Sequence, residues 1–470
     1  MCIEKVAVIG LDCCEPSLVF DKWYDDLPNL RRLMQSGLYG NLESCLPPIT
    51  VPAWTCMTTG KDPGTLGVYG FRNRRDHSYD SLYTATSLDV REPHVWDILG
   101  KAGKKTIAVG VPQTFPIVRP PNGCMVTDFL TPSIESDYTH PLTLKREIAK
   151  LVGEYMVDVP EFRTEDKAWL CEQIYKMTDK RFEVCKHLLR TKPWDLFFMV
   201  EIGVDRIHHG FWRFMDSEHH RYTPGNPFEN VIHDYYVHLD GLIGELLAEI
   251  DLKKTAVWIV SDHGSKRLEG GVCFNDWLIR EGLLVMKEPV TEPKRFRFED
   301  VDWSRTQVWG EGGYYGRCFI NVEGREPTGT VPQSRYEALR EELIAKLESM
   351  LDPQGHALGT RAYKPEAIYE NINGVPPDLL VIFGDLRWRS VGTVGNPDIY
   401  TRENDTGPDD ANHAQQGLHI LCHPSLSADH RDASIYDVMP TILKMMGHPT
   451  PAGLRGTALM QYSGMHSGDA

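Results

Sequence analysis

Four short segments place aspartate or histidine close to the ends of apolar runs. Asp12 follows VAVIGL, Asp205 and His209 sit within VEIGVDRIHHG, Asp262 and His263 close WIVSDHG, and His413 lies in ANHAQQG. Carboxylate oxygen and imidazole nitrogen are the donor set of Zn²⁺ and related divalent ions, and a catalytic metal keeps one position open. Two such ions about 4 Å apart clamp the attacking and leaving oxygens of an in-line displacement. Thr50 lies between Pro48 and Pro52, ahead of the stretch AWTCM, where a helix N-terminus would favour a phosphate group. Its hydroxyl becomes a nucleophile only when a metal or a base lowers its pKa.

Each segment also has a plainer reading. An Asp after a strand commonly caps the next helix, and Thr50 could do the same. Asp205 and His209, four apart, share one helical face as ordinary surface pairs do. SDHG reads as a turn closed by glycine. Any one of these carries little weight alone; their joint occurrence in this order is the signal.

Residues so far apart in sequence need a scaffold that gathers them. Apolar runs predict strands at Val6–Leu11, Thr106–Val111, Leu196–Ile202, Ala256–Val260, Leu379–Phe383 and Leu418–Cys422. Helical patterns separate many of them, at Glu165–Leu189, Val231–Ile250, Gln333–Leu351 and Ser434–Met446. Short, fully apolar strands alternating with helices predict an α/β fold with a largely parallel sheet covered on both faces. Such sheets collect ligands at the carboxyl ends of their strands, which suits Asp12, Asp205 and Asp262. His413 precedes its strand and is expected on a loop. Residues 1–265 and 403–470 read as the metal-binding core. Residues 266–402, with their Gly/Pro clusters and a β-rich excursion near Gly316–Val322, read as partly core and partly inserted cap.

Composition narrows the class. A net charge of −16 tells against a general nucleic-acid binder, although bound dications can still attract an anionic substrate. No basic leader precedes a long apolar stretch and no apolar run reaches membrane-spanning length, so a cytoplasmic protein without a membrane partner is expected. The eleven cysteines lack framework spacing and read as reduced thiols.

The segments VAVIGLD, PPITVPAWTCMTTGKDPGTLGVYGF, DRIHH, SDHG and NHAQQGLHILCHP together resemble the type I phosphodiesterase and nucleotide pyrophosphatase branch of the alkaline phosphatase superfamily. The C-terminal SIYDVMPTILKMMGHPTPAGLRGTAL is similar to that family's closing helix and tail. The resemblance implies an alkaline phosphatase-like α/β/α sandwich binding two divalent ions, with Zn²⁺ expected and Mn²⁺ the alternative. One ion would be held by Asp205, His209 and His413. The other would be held by Asp12, Asp262 and His263, with the Thr50 oxygen joining it during attack. Spacing in the family picks His209 over His208, which is left for a solvated or core-edge position. Thr50 would attack phosphorus, and water would then hydrolyse the phospho-threonine.

A small phosphate ester is the expected partner, with a nucleotide foremost. Nucleotide-hydrolysing relatives carry an Asn soon after the segment matched by GVYG; Phe71 stands there, followed by Arg72 and Asn73, and all three are candidate substrate contacts. A His usual in that stretch is replaced by Leu66. Trp54, Trp212 and Trp277 could stack on a substrate ring, with core packing favoured for Trp54, and Lys61 could neutralise phosphate. Phosphomonoesterase, phosphonate hydrolase and phosphomutase chemistry need the same centre. A catalytically silent metal-binding regulator is the alternative outside enzymes. Neither the sulfatase nor the mutase nucleophile motif is present.

Overall fold

The computed structural model describes residues 3–459. Alternation along the first strand accounts for its layers. On Lys5–Leu11, Ala7, Ile9 and Leu11 face one hydrophobic core while Val6 and Val8 face another. A strand apolar on both faces needs cover on both. Helices Pro28–Met34, Thr143–Val152, Lys167–Thr191, Gly203–Met215 and Val231–Ala248 cover the first face. Thr50–Thr59, Val95–Lys101 and Val438–Met445 cover the second. The architecture is an α/β/α sandwich around a ten-stranded sheet.

Across the middle of that sheet the order is Gly37–Glu43, Gln416–Cys422, Thr255–Val260, Lys5–Leu11, Leu196–Glu201, Thr106–Val109 and Gly123–Val126. The last five are parallel, with Val8 opposite Phe198 on one side and Trp258 on the other. Gln416–Cys422 and Gly37–Glu43 are antiparallel, so the parallel core has antiparallel margins.

One predicted strand belongs elsewhere. Leu379–Ile382 pairs with Gly316–Ile320 and Arg361–Tyr363 in a separate four-stranded sheet that also contains Val308–Glu311. A short, fully buried run looks the same in either sheet, so pattern alone could not assign it. Phe274, Trp309, Phe319, Leu343 and Val381 build this sheet's own core, with Leu343 on helix Tyr336–Glu348. Among the described residues no helix is long and apolar enough to cross a membrane, and the cysteines are free thiols.

Candidate active site

Three neighbouring parallel strands end at one place. Lys5–Leu11 delivers Asp12, Thr255–Val260 delivers Asp262 and His263, and Leu196–Glu201 runs into helix Gly203–Met215, which carries Asp205 and His209. These are carboxyl ends, where such sheets bind ligands. His413 arrives on a strand rather than a loop: Ala411–Ala414 pairs antiparallel with Gly264–Arg267, placing His413 opposite Ser265. The glycine of SDHG therefore opens a strand instead of closing a turn. All six side chains are at most 2% exposed.

Their hydrogen bonds leave a consistent remainder. Asp12 Oδ2 accepts from Trp54 Nε1 at 2.7 Å, and Asp262 Oδ1 accepts from the Cys13 amide at 3.2 Å. Asp12 Oδ1, Asp262 Oδ2, Asp205 Oδ1 and His209 Nε2 have no hydrogen-bond partner. Buried polar atoms without partners are rare and call for an explanation. Here they converge. His263 Nε2 lies 3.2 Å from Asp262 Oδ2 and 3.8 Å from Asp12 Oδ1. Asp205 Oδ1 lies 3.2 Å from His209 Nε2 and 3.9 Å from His413 Nε2.

The three imidazoles share one orientation. Nδ1 of His209 donates to Asp409 Oδ1 at 2.6 Å, that of His263 to the Gly264 carbonyl at 3.0 Å, and that of His413 to the Pro48 carbonyl at 2.7 Å. Each bond turns Nε2 inward, as outer partners of metal-binding histidines do. Burial pushes His263 down to about 4 and His413 well below its ordinary value. Burial also opposes charge on His209, but Asp409 and Asp205 outweigh it and push His209 up to about 10. Burial, then the neighbouring aspartate charges, raise Asp12 and Asp262 well above the carboxylate range. The same burial acts on Asp205, yet His209 and Arg206 overcome it and hold Asp205 well below that range. The cluster is short of positive charge, which a dication would supply.

Three sets present donor atoms within 4.8 Å of one another: Asp12–Asp262–His263, Asp205–His263–His413 and Cys13–Asp205–His209. The first coincides with one expected ligand trio. The other expected trio does not close to that separation as one group, although Asp205 Oδ1 approaches both His209 and His413. Cys13 was not foreseen here. The donor chemistry and the unpartnered atoms fit divalent metal.

Thr50 is the first residue of helix Thr50–Thr59, and Ile49 occupies the N-cap, so the hydroxyl does not cap the helix. Thr50 Oγ1 lies 3.2 Å from His263 Nε2. Close approach of this helix to the sheet depends on Gly10: a Cβ there would collide with the Trp54 indole and stand 2.9 Å from the Met199 carbonyl oxygen. The absence of that Cβ lets Trp54 reach Asp12.

The candidate substrate contacts divide. Phe71 and Arg72 line a cavity of about 150 Å³, joined by Arg163, Tyr314, Arg317 and Arg389. Asn73 does not face it: Oδ1 accepts from the Tyr69 amide at 2.8 Å and Nδ2 donates to the Gly70 carbonyl at 2.9 Å, which fixes the turn. Trp212 donates to Asp216, Trp277 belongs to the second sheet's core, and Lys61 donates to the Gly453 carbonyl. His208 is fully buried rather than solvated, stacked on Tyr236 and 3.1 Å from its hydroxyl, and burial pushes it down to about 3.

Asp409 and Tyr314 were missed. Asp409 orients His209 and accepts from Tyr314 OH at 3.1 Å and Arg163 Nε at 3.2 Å. The Tyr314 ring packs against His209 and His413, with centroids 5.2 Å and 4.5 Å apart. The acidic pair Asp409–Asp410, just ahead of His413, was the available signal for the first. Tyr314, in a glycine-rich turn, gave none.

Residues 6–409 match the profile of the type I phosphodiesterase / nucleotide pyrophosphatase family. No curated protein matches the chain. Human ectonucleotide pyrophosphatase / phosphodiesterase 5 shares the fold, with TM-score 0.53 and 12% identity over 95% of this chain and 96% of that one. The murine counterpart, an inactive threonine-to-alanine variant in complex with AMP, gives TM-score 0.53 and 12% identity over 97% of each chain. The family match extends over most of the chain and takes in Asp12, Thr50, Asp205, His209, Asp262 and His263, ending ahead of His413, and the family is metal-dependent. With its sandwich fold and its clustered donors, the chain belongs to the type I phosphodiesterase / nucleotide pyrophosphatase family of the alkaline phosphatase superfamily and is a phosphodiesterase-type hydrolase.

Proposed function

We propose that the chain hydrolyses small phosphodiesters, nucleotide-linked ones foremost, with Thr50 as nucleophile and two divalent ions, Zn²⁺ by preference of the donor set. The observation that carries this reading is the Thr50 hydroxyl lying against His263 Nε2, which itself lies 3.2 Å and 3.8 Å from the unpartnered oxygens of Asp262 and Asp12. Asp205, His209 and His413 would hold one ion, and Asp12, Asp262 and His263 the other. When bound, the ions supply Lewis-acid polarisation and a lowered hydroxyl pKa. The inactive threonine-to-alanine form of the murine relative, with AMP bound, supports a threonine nucleophile and a nucleotide-type substrate.

The chain's own residues do the positioning. Thr50 opens a helix whose N-terminal amides favour an anionic phosphoryl group. Its Oγ1 attacks phosphorus, the P–O bond to the leaving alcohol breaks, and the departing oxygen takes a proton. Water then cleaves the phospho-threonine, releasing a phosphomonoester and restoring the hydroxyl. Trp54 holds Asp12 in place, and Asp409 holds His209.

The test is hydrolysis of bis-p-nitrophenyl phosphate against p-nitrophenyl phosphate by zinc-loaded protein. Faster diester cleavage is expected, falling on the order of 10³-fold or more in Thr50→Ala. Full activity in Thr50→Ala would remove the nucleophile assignment, and faster monoester cleavage would make the chain a phosphomonoesterase.

A further inference from the structure

The cavity beside the metal cluster is lined by four arginines, and their partners do not exhaust them. Arg72 is exposed, and among the described residues its guanidinium makes no hydrogen bond or ion pair. Arg389 is 4% exposed; its Nη1 donates to Asn404 Oδ1 and, at 2.9 Å, to Thr406 Oγ1, while its buried Nε has no partner. Three acids face the four cations. Asp409 is shared between Arg163 and His209, Asp405 stands 3.4 Å from Arg389, and Glu311 stands 3.9 Å from Arg317. Positive charge is therefore in excess.

The cavity adjoins the reacting centre on two sides. Ile49, which lines it, immediately precedes Thr50, and Tyr314 closes it with the ring that packs on His413. At about 150 Å³ it is smaller than the roughly 300–1,000 Å³ of pockets that enclose a drug-sized ligand. A compact terminal group suits that volume. An uncharged ring placed there would desolvate Arg72 without compensation. Arginine forks match carboxylate and phosphate oxygens, and charge-assisted bonds in a partly dry cavity are the strong ones.

We propose that this cavity is a subsite for a second anionic group, a carboxylate or phosphate, carried on the arm of the phosphodiester that is not displaced. The proposal rests on the phosphodiesterase reading above. It names the substrate class as a diester bearing an additional terminal anion, recognised by Arg72 and Arg389.

Three p-nitrophenyl propyl phosphodiesters test it, their propyl arms ending in methyl, carboxylate or phosphate; p-nitrophenol leaves and the arm stays. With zinc-loaded protein, at least one anionic arm is expected to exceed the methyl arm by about tenfold or more in kcat/KM, and which of the two does so identifies the anion. Arg72→Ala, at an exposed position, and Arg389→Met are each expected to shrink that ratio. Cleavage of all three esters within about threefold of one another would overturn the subsite and leave the phosphodiesterase reading standing. A preference that survives both substitutions would overturn the assignment to these arginines. No hydrolysis of any ester would overturn the phosphodiesterase reading, and the subsite with it.

Discussion

The metal cluster and the arginine cavity share a wall at Tyr314 but are built in opposite ways. In the cluster, five of the six candidate acidic and histidine ligands sit at the carboxyl ends of adjacent parallel strands, or within two helical turns beyond, and every one is buried. Its excess is negative. In the cavity, Arg72, Arg317 and Arg389 come from short strands outside the central sheet, and the excess is positive. On the proposed function, reaction chemistry rides on the central sheet, while the proposed recognition rides on elements outside it that can vary without disturbing it. Asp409 and Tyr314 are the seam, because each touches both regions.

The sharpest way to break this division is within the cluster. Asp262→Ala or His413→Ala should lower kcat/KM on the order of 10³-fold with an unchanged circular dichroism spectrum. Full activity in either would show that the chemistry does not depend on these ligands. Metal removal comes next. Calorimetry with and without a chelator should show a higher Tm for the zinc-loaded protein, since free ion at 1,000 times its Kd contributes about 4 kcal/mol. Equal Tm values would mean that the unpartnered carboxylates are not relieved by metal.

The seam gives an intermediate effect. Asp409→Asn keeps the shape but removes the charge that orients His209, so metal affinity should fall about 10–100-fold in competition with a chelating dye. An unchanged affinity would make Asp409 part of the cavity only. The smallest effect is expected at Asn73→Ala, which leaves the Tyr69 amide and the Gly70 carbonyl unpaired at a cost of about 1–3 kcal/mol. It should lower Tm while metal affinity stays the same. A change in metal affinity there would show that the two regions are not separable.

Legibility in the sequence follows the same division. The convergence of Asp12, Asp205, His209, Asp262 and His263 was readable because a fully apolar strand announces itself and the residues at its carboxyl end follow it in sequence. His413 was readable as a residue but not as a strand position, since its pairing with Ser265 is long-range. Leu379–Ile382 was recognised as a strand but not placed in its sheet, because periodicity says nothing about pairing partners. Arg72, read from its neighbourhood, lines the cavity, while Asn73 beside it bonds the turn, because a polar side chain after a turn serves the turn as readily as a ligand. Arg317, Arg389 and Tyr314 sit far from Arg72 in sequence, in a region without a strong hydrophobic pattern, so nothing local connected them.

The most direct test is metal stoichiometry in reconstituted protein, by elemental analysis of the wild type, Asp262→Ala and His413→Ala. Two ions per wild-type chain and about one in each variant are expected, with the fold intact. A single ion in the wild type, or a content unaffected by both substitutions, would contradict the two-ion centre around Thr50.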